Sequence, residues 1–436
     1  MIIDPHLLDL FFVCFGLLAL LTVPLAAAVV LPVVVLLWFN STPLPPDFFI
    51  NYSLAMRLNS PALLSIPLFA VAGELAVASG VAERLLGVAD LFGGHGSRAV
   101  GTRTILGCTL FATVSGVGPT VINAESKRLV PKMVRAGFTR EAAAGALSCA
   151  AVLSIVIPAS VPMTIYAATI GLPMNVIATS CFLPGLLLSA LMLLVMHWYS
   201  RRRLVSQRLW RDPTRRWLVV LWGAKWALLL PLIILPALFT GFFSAPEAAA
   251  FSCVYCLAVG RFAHGGMDAA EVWNSMARSA TGTAAVLLLA GVGSLFAMLM
   301  EGCGFSDRLA DTVFRFCGGR AGSILAINIL LLVAGCFMDM PAIISLLIPL
   351  LLPLVRMCGM QLPHFGVVVV MNVAIGLVTP PQAWNIAAAA EASGLDMWRT
   401  ARAAAPFIAV MVGGLLLVSY WPGLSLWFPG LFGWPV

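Results

Sequence analysis

Long apolar runs recur from residue 7 to residue 421, and the polar residues fall in short clusters between them. Runs of this length predict apolar helices of about 20 residues that cross a membrane, not the short alternating segments of a spanning barrel. One polar position breaks the pattern. In "LLVAGCFMDMPAIISLLIPLL" (331–351), Asp339 is the only charged residue among the 35 between Arg320 and Arg356. As one helix at about 1.5 Å per residue that stretch would measure ~52 Å, against a hydrocarbon core of ~30 Å. Folded back as a re-entrant hairpin, it gives arms of sixteen to eighteen residues and puts Asp339 at the tip, near the membrane middle. Asp339-Met340-Pro341 also suits the start of the second arm, with the carboxylate accepting the first N–H groups and proline in the first turn. A charge at the bilayer centre costs about 3 kcal/mol or more, so a compensating role is expected. Asp339 either caps the arm or contacts an ion or substrate.

The pattern is also repeated. Pro24, Pro119, Pro131 and Pro158 each lie 222 residues before Pro246, Pro341, Pro353 and Pro380, and Gly80 and Gly137 precede Gly302 and Gly359 by the same offset. "ERLLGVADLFGGHG" (83–96) matches "DRLADTVFRFCGGRAG" (307–322) with a slip of two or three residues. An internal repeat follows. Its first copy occupies 1–200 and its second 218–436, each with a hairpin (about 98–135 and 321–357) and a broken helix (about 141–172 and 364–394). The first tip is "SGVGPT" (115–120), and the breaks are "SIVIPASVP" (154–162) and "GLVTPPQAWN" (376–385).

Charge orients the two copies. The net charge is +7, and the loop "RRRLVSQRLWRDPTRRW" (201–217), with seven Arg and one Asp, supplies +6 of it. A basic loop between apolar runs lies on the cytoplasmic side and suits lipid headgroups rather than nucleic acid. Counting back through spans near 175–198 and 141–172 puts both ends of the first hairpin inside. Counting forward through 218–240, 247–261 and 272–300 puts both ends of the second outside. Two matching segments that face opposite sides make an inverted-topology repeat. The fold class expected is therefore an all-α polytopic membrane protein with two re-entrant hairpins and two broken helices. The start, "MIIDPHLLDL", has two acids and no base, unlike a cleaved signal peptide.

The remaining chemistry is sparse. Ten Cys are scattered through apolar runs and the five His show no ligand spacing, so neither a disulfide framework nor a transition-metal site is expected. No nucleophile with a base and no metal-hydrolase motif is visible, so no enzyme and no cofactor are expected. Proline breaks free carbonyls near the midplane, and hard cations such as Na⁺ want oxygen ligands. Ser115, Thr120, Asn123, Ser160, Thr379, Gln382 and Asn385 sit at these breaks, either to satisfy broken backbone or to contact ion and substrate. Glu247 suits the first turn of a helix, and Lys225 is placed to snorkel.

The chain resembles the large membrane subunit of the tripartite ATP-independent periplasmic transporters. The resemblance rests on "IPLFAVAGELAVASGVAERLL" (66–86), "LVPKMVRAGF" (129–138), "IPASVPMTIYAA" (157–168), "SAPEAAA" (244–250), "PHFGVVVVMNVAIGLVTPP" (363–381) and "YWPGLSLWFP" (420–429). It implies an elevator-type secondary transporter of the bacterial inner membrane, importing an organic acid, commonly a carboxylate, on a sodium gradient. The partners it implies are a periplasmic substrate-binding protein and a separate small four-helix membrane subunit. By position, the family's ion and substrate sites fall on Ser115, Gly116, Gly118 and Thr120, on Pro158 and Ser160, on Gly335 and Asp339, and on Thr379, Pro380 and Asn385. The chain departs from the family at the first tip, where "GVGPT" (116–120) lacks two of the usual hydroxyls, and at "IPAS" (157–160), which lacks the usual double proline. It departs again at Gln382-Ala383-Trp384, where Val-Gly-Leu is common. A proton in place of sodium is an alternative for the first-half site. A stand-alone anion carrier of the related superfamily, without a binding protein, is the alternative function.

Overall fold

The computed structural model describes residues 61–92, 97–115, 118–158, 160–203, 217–265 and 267–434, with a few more between 11 and 35. Those from 61 onward form helices only. The first part of the chain gives α1 (Pro61–Ala78), α2 (Val81–Ala89), α3 (Ser97–Ser115), α4 (Gly118–Arg135), α5 (Arg140–Ala151), α6 (Leu153–Val156), α7 (Val161–Ile170) and α8 (Met174–Arg203). The second gives α9 (Trp217–Gly223), α10 (Lys225–Thr240), α11 (Ala245–Ala258), α12 (Ala269–Gly302), α13 (Phe305–Phe316) and α14 (Arg320–Phe337). It continues through α15 (Met340–Ala342), α16 (Ile348–Met357), α17 (Leu362–Gly376), α18 (Trp384–Ser393), α19 (Met397–Tyr420) and α20 (Gly423–Leu431). Among the described residues, six helices are long and apolar enough to cross a membrane, or seven if the bent pair α1–α2 is one span.

Breaks fall where the repeated prolines and glycines are. α3, ending at Ser115, and α4, starting at Gly118, are in contact, while α14 and α15 part at Met338–Asp339. Each side of the second parting is an 18-residue apolar stretch, Arg320–Phe337 and Met340–Met357. The latter passes through a π-helical turn at Ile343–Leu347. The helix α5–α6 stops at Ile157, whose backbone is extended (φ −79°, ψ 139°), and Ser160 starts α7. α17 stops at Gly376 and α18 starts at Trp384. A left-handed glycine also precedes each short helix that leads to a hairpin: Gly80 (φ 71°) before α2 and Gly304 (φ 60°) before α13. α1 and α2 meet there at 73°. The structural counterpart of Gly80 is thus Gly304, not Gly302, the same slip seen between "ERLLGVADLFGGHG" and its match.

Two helices form the centre. The apolar window of Arg140–Ile170 is wholly enclosed by protein, and α17 is buried from Pro363 to Gly376. A helix apolar on every side belongs in a core. Small residues let neighbours approach: a methyl at Gly145 would sit 3.1 Å from the Thr400 carbonyl oxygen and the Ala404 nitrogen. The halves lock through Tyr166, which donates to the Leu362 carbonyl (2.7 Å), stands edge-on to Phe365 (centroids 6.1 Å) and fills space kept open at Gly366. The first break is buried at Ile157, Pro158 and Ser160, while the second runs from the buried Leu377 and Val378 out to the exposed Pro381 and Trp384.

Spanning helices Met174–Arg201 and Ala269–Gly302 cover the stretches expected at 175–198 and 272–300. The span expected at 218–240 is interrupted at Ala224, between α9 and α10. Lys225 lies over the Trp222 ring at 3.9 Å and near Trp226 at 5.4 Å, so the ammonium rests on aromatic faces at the helix start. Glu247 accepts from the Ser244 N–H (2.8 Å) and hydroxyl (2.7 Å), a cap of the expected kind. Glu74 of α1 takes Arg278 of α12 as its partner (2.9 Å).

Candidate functional site

The second tip meets the second break. α14 packs along α17, and Gly335 and Gly376 touch backbone to backbone: a methyl on Gly376 would lie 2.7 Å from the Gly335 Cα. One residue further, the Gln382 N–H donates to the Cys336 carbonyl (3.2 Å), fastening the break to the end of the first arm. Trp384 Nε1 then donates to Asp339 Oδ1 (3.0 Å). This corrects the capping reading of Asp339. The residue stands at the N-cap position with extended backbone (φ −72°, ψ 153°), but its side chain makes no capping hydrogen bond and is exposed. Missing capping bonds leave the carboxylate available to another residue, and the indole takes it.

The break itself is tightly folded. Thr379 donates its hydroxyl to the Ile375 carbonyl (2.8 Å), a bond back along the helix that uses its proton and leaves oxygen lone pairs free. Pro380 and Pro381 are joined by a cis peptide, and Ala383 is left-handed (φ 37°). The Asn385 N–H donates to the Leu377 carbonyl (3.0 Å), which closes the loop on itself. Asn385 is fully buried, and its Nδ2 reaches the Ser148 carbonyl of α5 (3.5 Å). That contact orients the amide and leaves Oδ1 as a buried acceptor with no donor among the described residues; Gln382 Oε1 is another.

In the first half the break is buried at Pro158 and Ser160, and Ser160 Oγ accepts from the Met163 N–H (3.5 Å). Ser160 therefore caps α7, the bland role open to it. Ser115 closes α3, and Gly118 and Thr120 lie in the first turn of α4. Gly116 lies outside the described residues. The halves cross over: α18, leaving the second break, packs on α4, and α7, leaving the first, packs on the start of the second arm at 340–347. Among the described residues no hydrogen bond links Ser160 to Asp339, Thr379 or Asn385. Gly335, Asp339, Thr379, Pro380 and Asn385 thus gather in one place, with Pro158 and Ser160 on the helix packed beside it.

Sequence reasoning missed three contributors. Trp384 was seen only as a departure from a common pattern, and Gly376 and Ser148 not at all. A polar cluster behind the site also escaped it. Asn372 Nδ2 donates to Asn328 Oδ1 (2.9 Å), Ser419 Oγ donates to the same oxygen (3.2 Å), and His364 lies between Ser425 Oγ (3.1 Å) and the Ser419 carbonyl (3.3 Å). All five residues are buried. The available signal was amides within apolar helices, which need partners when no water is near.

This architecture is that of an all-helical membrane protein built around broken helices, and one solved structure of similar fold is a transporter. Over 99% of both chains it aligns with the Alcanivorax borkumensis YdaH transporter, of unusual topology, at a TM-score of 0.54 and 14% identity, a likeness of fold alone. Residues 12–424 match the family described as the tripartite ATP-independent periplasmic transporter, DctM component, and the chain belongs to that family. It is 32% identical over 386 residues to the C4-dicarboxylate TRAP transporter large permease protein DctM of Pseudomonas aeruginosa, covering 87% of this chain and 90% of that protein. It is 29% identical over 428 residues to the isethionate TRAP transporter permease protein DctMQ of Oleidesulfovibrio alaskensis, covering 98% of this chain and 67% of that one. The sialic acid permease protein SiaM of Vibrio cholerae is 26% identical over 370 residues, 85% of this chain and 86% of its own.

Proposed function

We propose that the chain is the large permease subunit of a tripartite secondary transporter that imports an organic acid across the bacterial inner membrane. The ligand class follows relatives named for C4-dicarboxylates, isethionate, sialic acid and 2,3-diketo-L-gulonate, all of them acids. Both helix pairs are read as re-entrant hairpins of an inverted repeat, with 1–200 and 218–436 as its copies and 201–217 as the cytoplasmic loop. A small membrane subunit and a periplasmic binding protein complete the system.

One observation carries the site assignment. Among the described residues, Asn385 Oδ1 and Gln382 Oε1 are buried acceptors with no donor, in the same proline-broken segment as Thr379. A buried acceptor without a partner is costly, and a bound Na⁺ would satisfy several at once. The coupling ion at this break is therefore taken to be sodium, held by Thr379, Asn385 and freed carbonyls around Pro380. Gly335 serves by letting the hairpin approach, and Asp339 stands at the mouth. The first-half site at Ser115, Gly116, Gly118, Thr120, Pro158 and Ser160 keeps either Na⁺ or H⁺ as its ion.

The test is uptake into proteoliposomes holding this chain, its small subunit and the substrate-loaded binding protein. Uptake should follow an inward Na⁺ gradient, and Asn385→Ala should raise the sodium concentration for half-maximal uptake at least tenfold. Uptake that ignores sodium, or an Asn385→Ala variant with unchanged sodium dependence, would overturn the assignment.

A further inference from the structure

The first arm of the second hairpin is clamped along its length. Asn328 is bonded to Asn372 (2.9 Å), Gly335 lies against Gly376, and the Cys336 carbonyl takes the Gln382 N–H (3.2 Å). Only Phe337 and Met338 then separate the clamped arm from Asp339. Beyond Cys336, one hydrogen bond among the described residues runs between tip and break: Trp384 Nε1–H to Asp339 Oδ1 (3.0 Å). It differs in kind from the others. Trp384 is 50% exposed and Asp339 is exposed as well, so this bond can open without disturbing packed core.

The backbone is arranged for the contact. Ala383 is buried and left-handed (φ 37°, ψ 53°), a conformation alanine seldom adopts, and it directs the next residue, Trp384, back toward the tip. Asp339 makes no capping bond to α15, and Oδ1 is committed to the indole while Oδ2 has no hydrogen bond among the described residues.

We propose that Trp384 is a positioning residue for transport: its indole N–H holds the Asp339 carboxylate at the mouth between hairpin tip and break, and ties the tip down. Oδ2 is thereby presented to whatever cation or solute group enters. Opening the tie frees the tip at 337–340 while the clamped first arm and the buried start of the second arm stay in place. The inference deepens the transport reading and rests on it for its purpose, but the contact and the tip's mobility are measured without any solute.

The experiment uses the full chain in lipid nanodiscs with ¹⁵N-labelled tryptophan indoles. Trp384→Phe, which keeps an aromatic ring and removes the donor, identifies the Trp384 resonance among the twelve tryptophans. Asp339→Leu should move that resonance upfield, whereas Asp339→Asn, which keeps an oxygen acceptor, should move it far less. Amide exchange of the peptide 336–347 should quicken about fivefold in Trp384→Phe and equally in Asp339→Leu, with no further change in the double variant, because one partly exposed charge-assisted bond is being removed. For succinate, malate or isethionate, whichever the reconstituted system carries, Trp384→Phe should raise the half-saturating concentration about fivefold at an unchanged maximal rate. An indole resonance indifferent to Asp339→Leu, unchanged exchange in Trp384→Phe, exchange effects that multiply, or an unchanged half-saturation would overturn the proposal. A reconstituted system that carries no acid at all would instead count against the transport reading and leave the contact to the spectra.

Discussion

Adding one methyl group at Gly376 tests whether tip and break depend on close helix approach. The new Cβ would lie 2.7 Å from the Gly335 Cα and 2.9 Å from its carbonyl carbon and oxygen, all backbone atoms that cannot rotate aside. Non-bonded carbons prefer about 3.5–4.0 Å, so α14 and α17 must move apart by roughly 1 Å. That stretches the Gln382 N–H to Cys336 carbonyl bond, already 3.2 Å, past useful length and pulls on the Asn372–Asn328 bond of 2.9 Å. Overpacking costs about 1–3 kcal/mol and a lost hydrogen bond about 1 kcal/mol more, so Gly376→Ala should destabilise by about 2–4 kcal/mol. Gly413→Ala is the control: it lies exposed inside α19 with no atom within 4 Å of the added methyl. It should be stabilised by about 0.5–1 kcal/mol through helix propensity alone. The assay is reversible unfolding of both variants in the same detergent micelle. Gly376→Ala within about 0.5 kcal/mol of the parent would refute the close-approach argument.

Other substitutions probe the surroundings. Asn328→Leu removes the acceptor of one Asn372 Nδ2 hydrogen, the other staying on the Val368 carbonyl and Ser419 on that of Leu415, and should cost about 1–3 kcal/mol; Asn328→Leu/Asn372→Leu should recover part of it, read by the same unfolding assay. Glu74→Gln weakens the bridge to Arg278, whose side chain is 60% exposed, so the loss should stay near 1 kcal/mol or below and shrink in high salt. His264, in the loop after α11, gives its Nδ1 to the Ser79 carbonyl (2.7 Å), and partial burial together with the nearby Arg84 guanidinium lowers its pKa below the ordinary 6.5. The folded state therefore disfavours protonation. Stability from His264 is present above about pH 6.5 and is lost as pH falls through the lowered value. Melting curves between pH 7.5 and 5 should show a decline that His264→Gln flattens; equal declines would refute it.

Much of the fold was legible because proline and glycine punctuate apolar helices in ways that packing rarely overrides. The length of the apolar stretch around Asp339 demanded a break, and the chain parts at Met338–Asp339. The 222-residue offset also marks the breaks after Ile157 and after Gly376, while the first tip includes 116–117, outside the described residues. What remained hidden depends on which side of a helix faces which neighbour. Asp339 looks like a cap in one dimension, and only the return of Trp384 across the tip shows the carboxylate otherwise engaged. Gly335 resembled a ligand-site glycine, yet its neighbour is another glycine 41 positions on, at Gly376. Asn328, Asn372 and Ser419 sit on three elements, so no local spacing could join them.

The measurement that tests the central claim most directly is affinity purification of the full chain from native membranes with the periplasm retained, read by mass spectrometry. A permease subunit of a tripartite system should arrive with a stoichiometric small membrane protein of about four helices, and with a periplasmic solute-binding protein recovered once cross-linked. A chain that purifies alone, or only with copies of itself, and that carries anions without any soluble component would contradict the tripartite account and identify a stand-alone carrier.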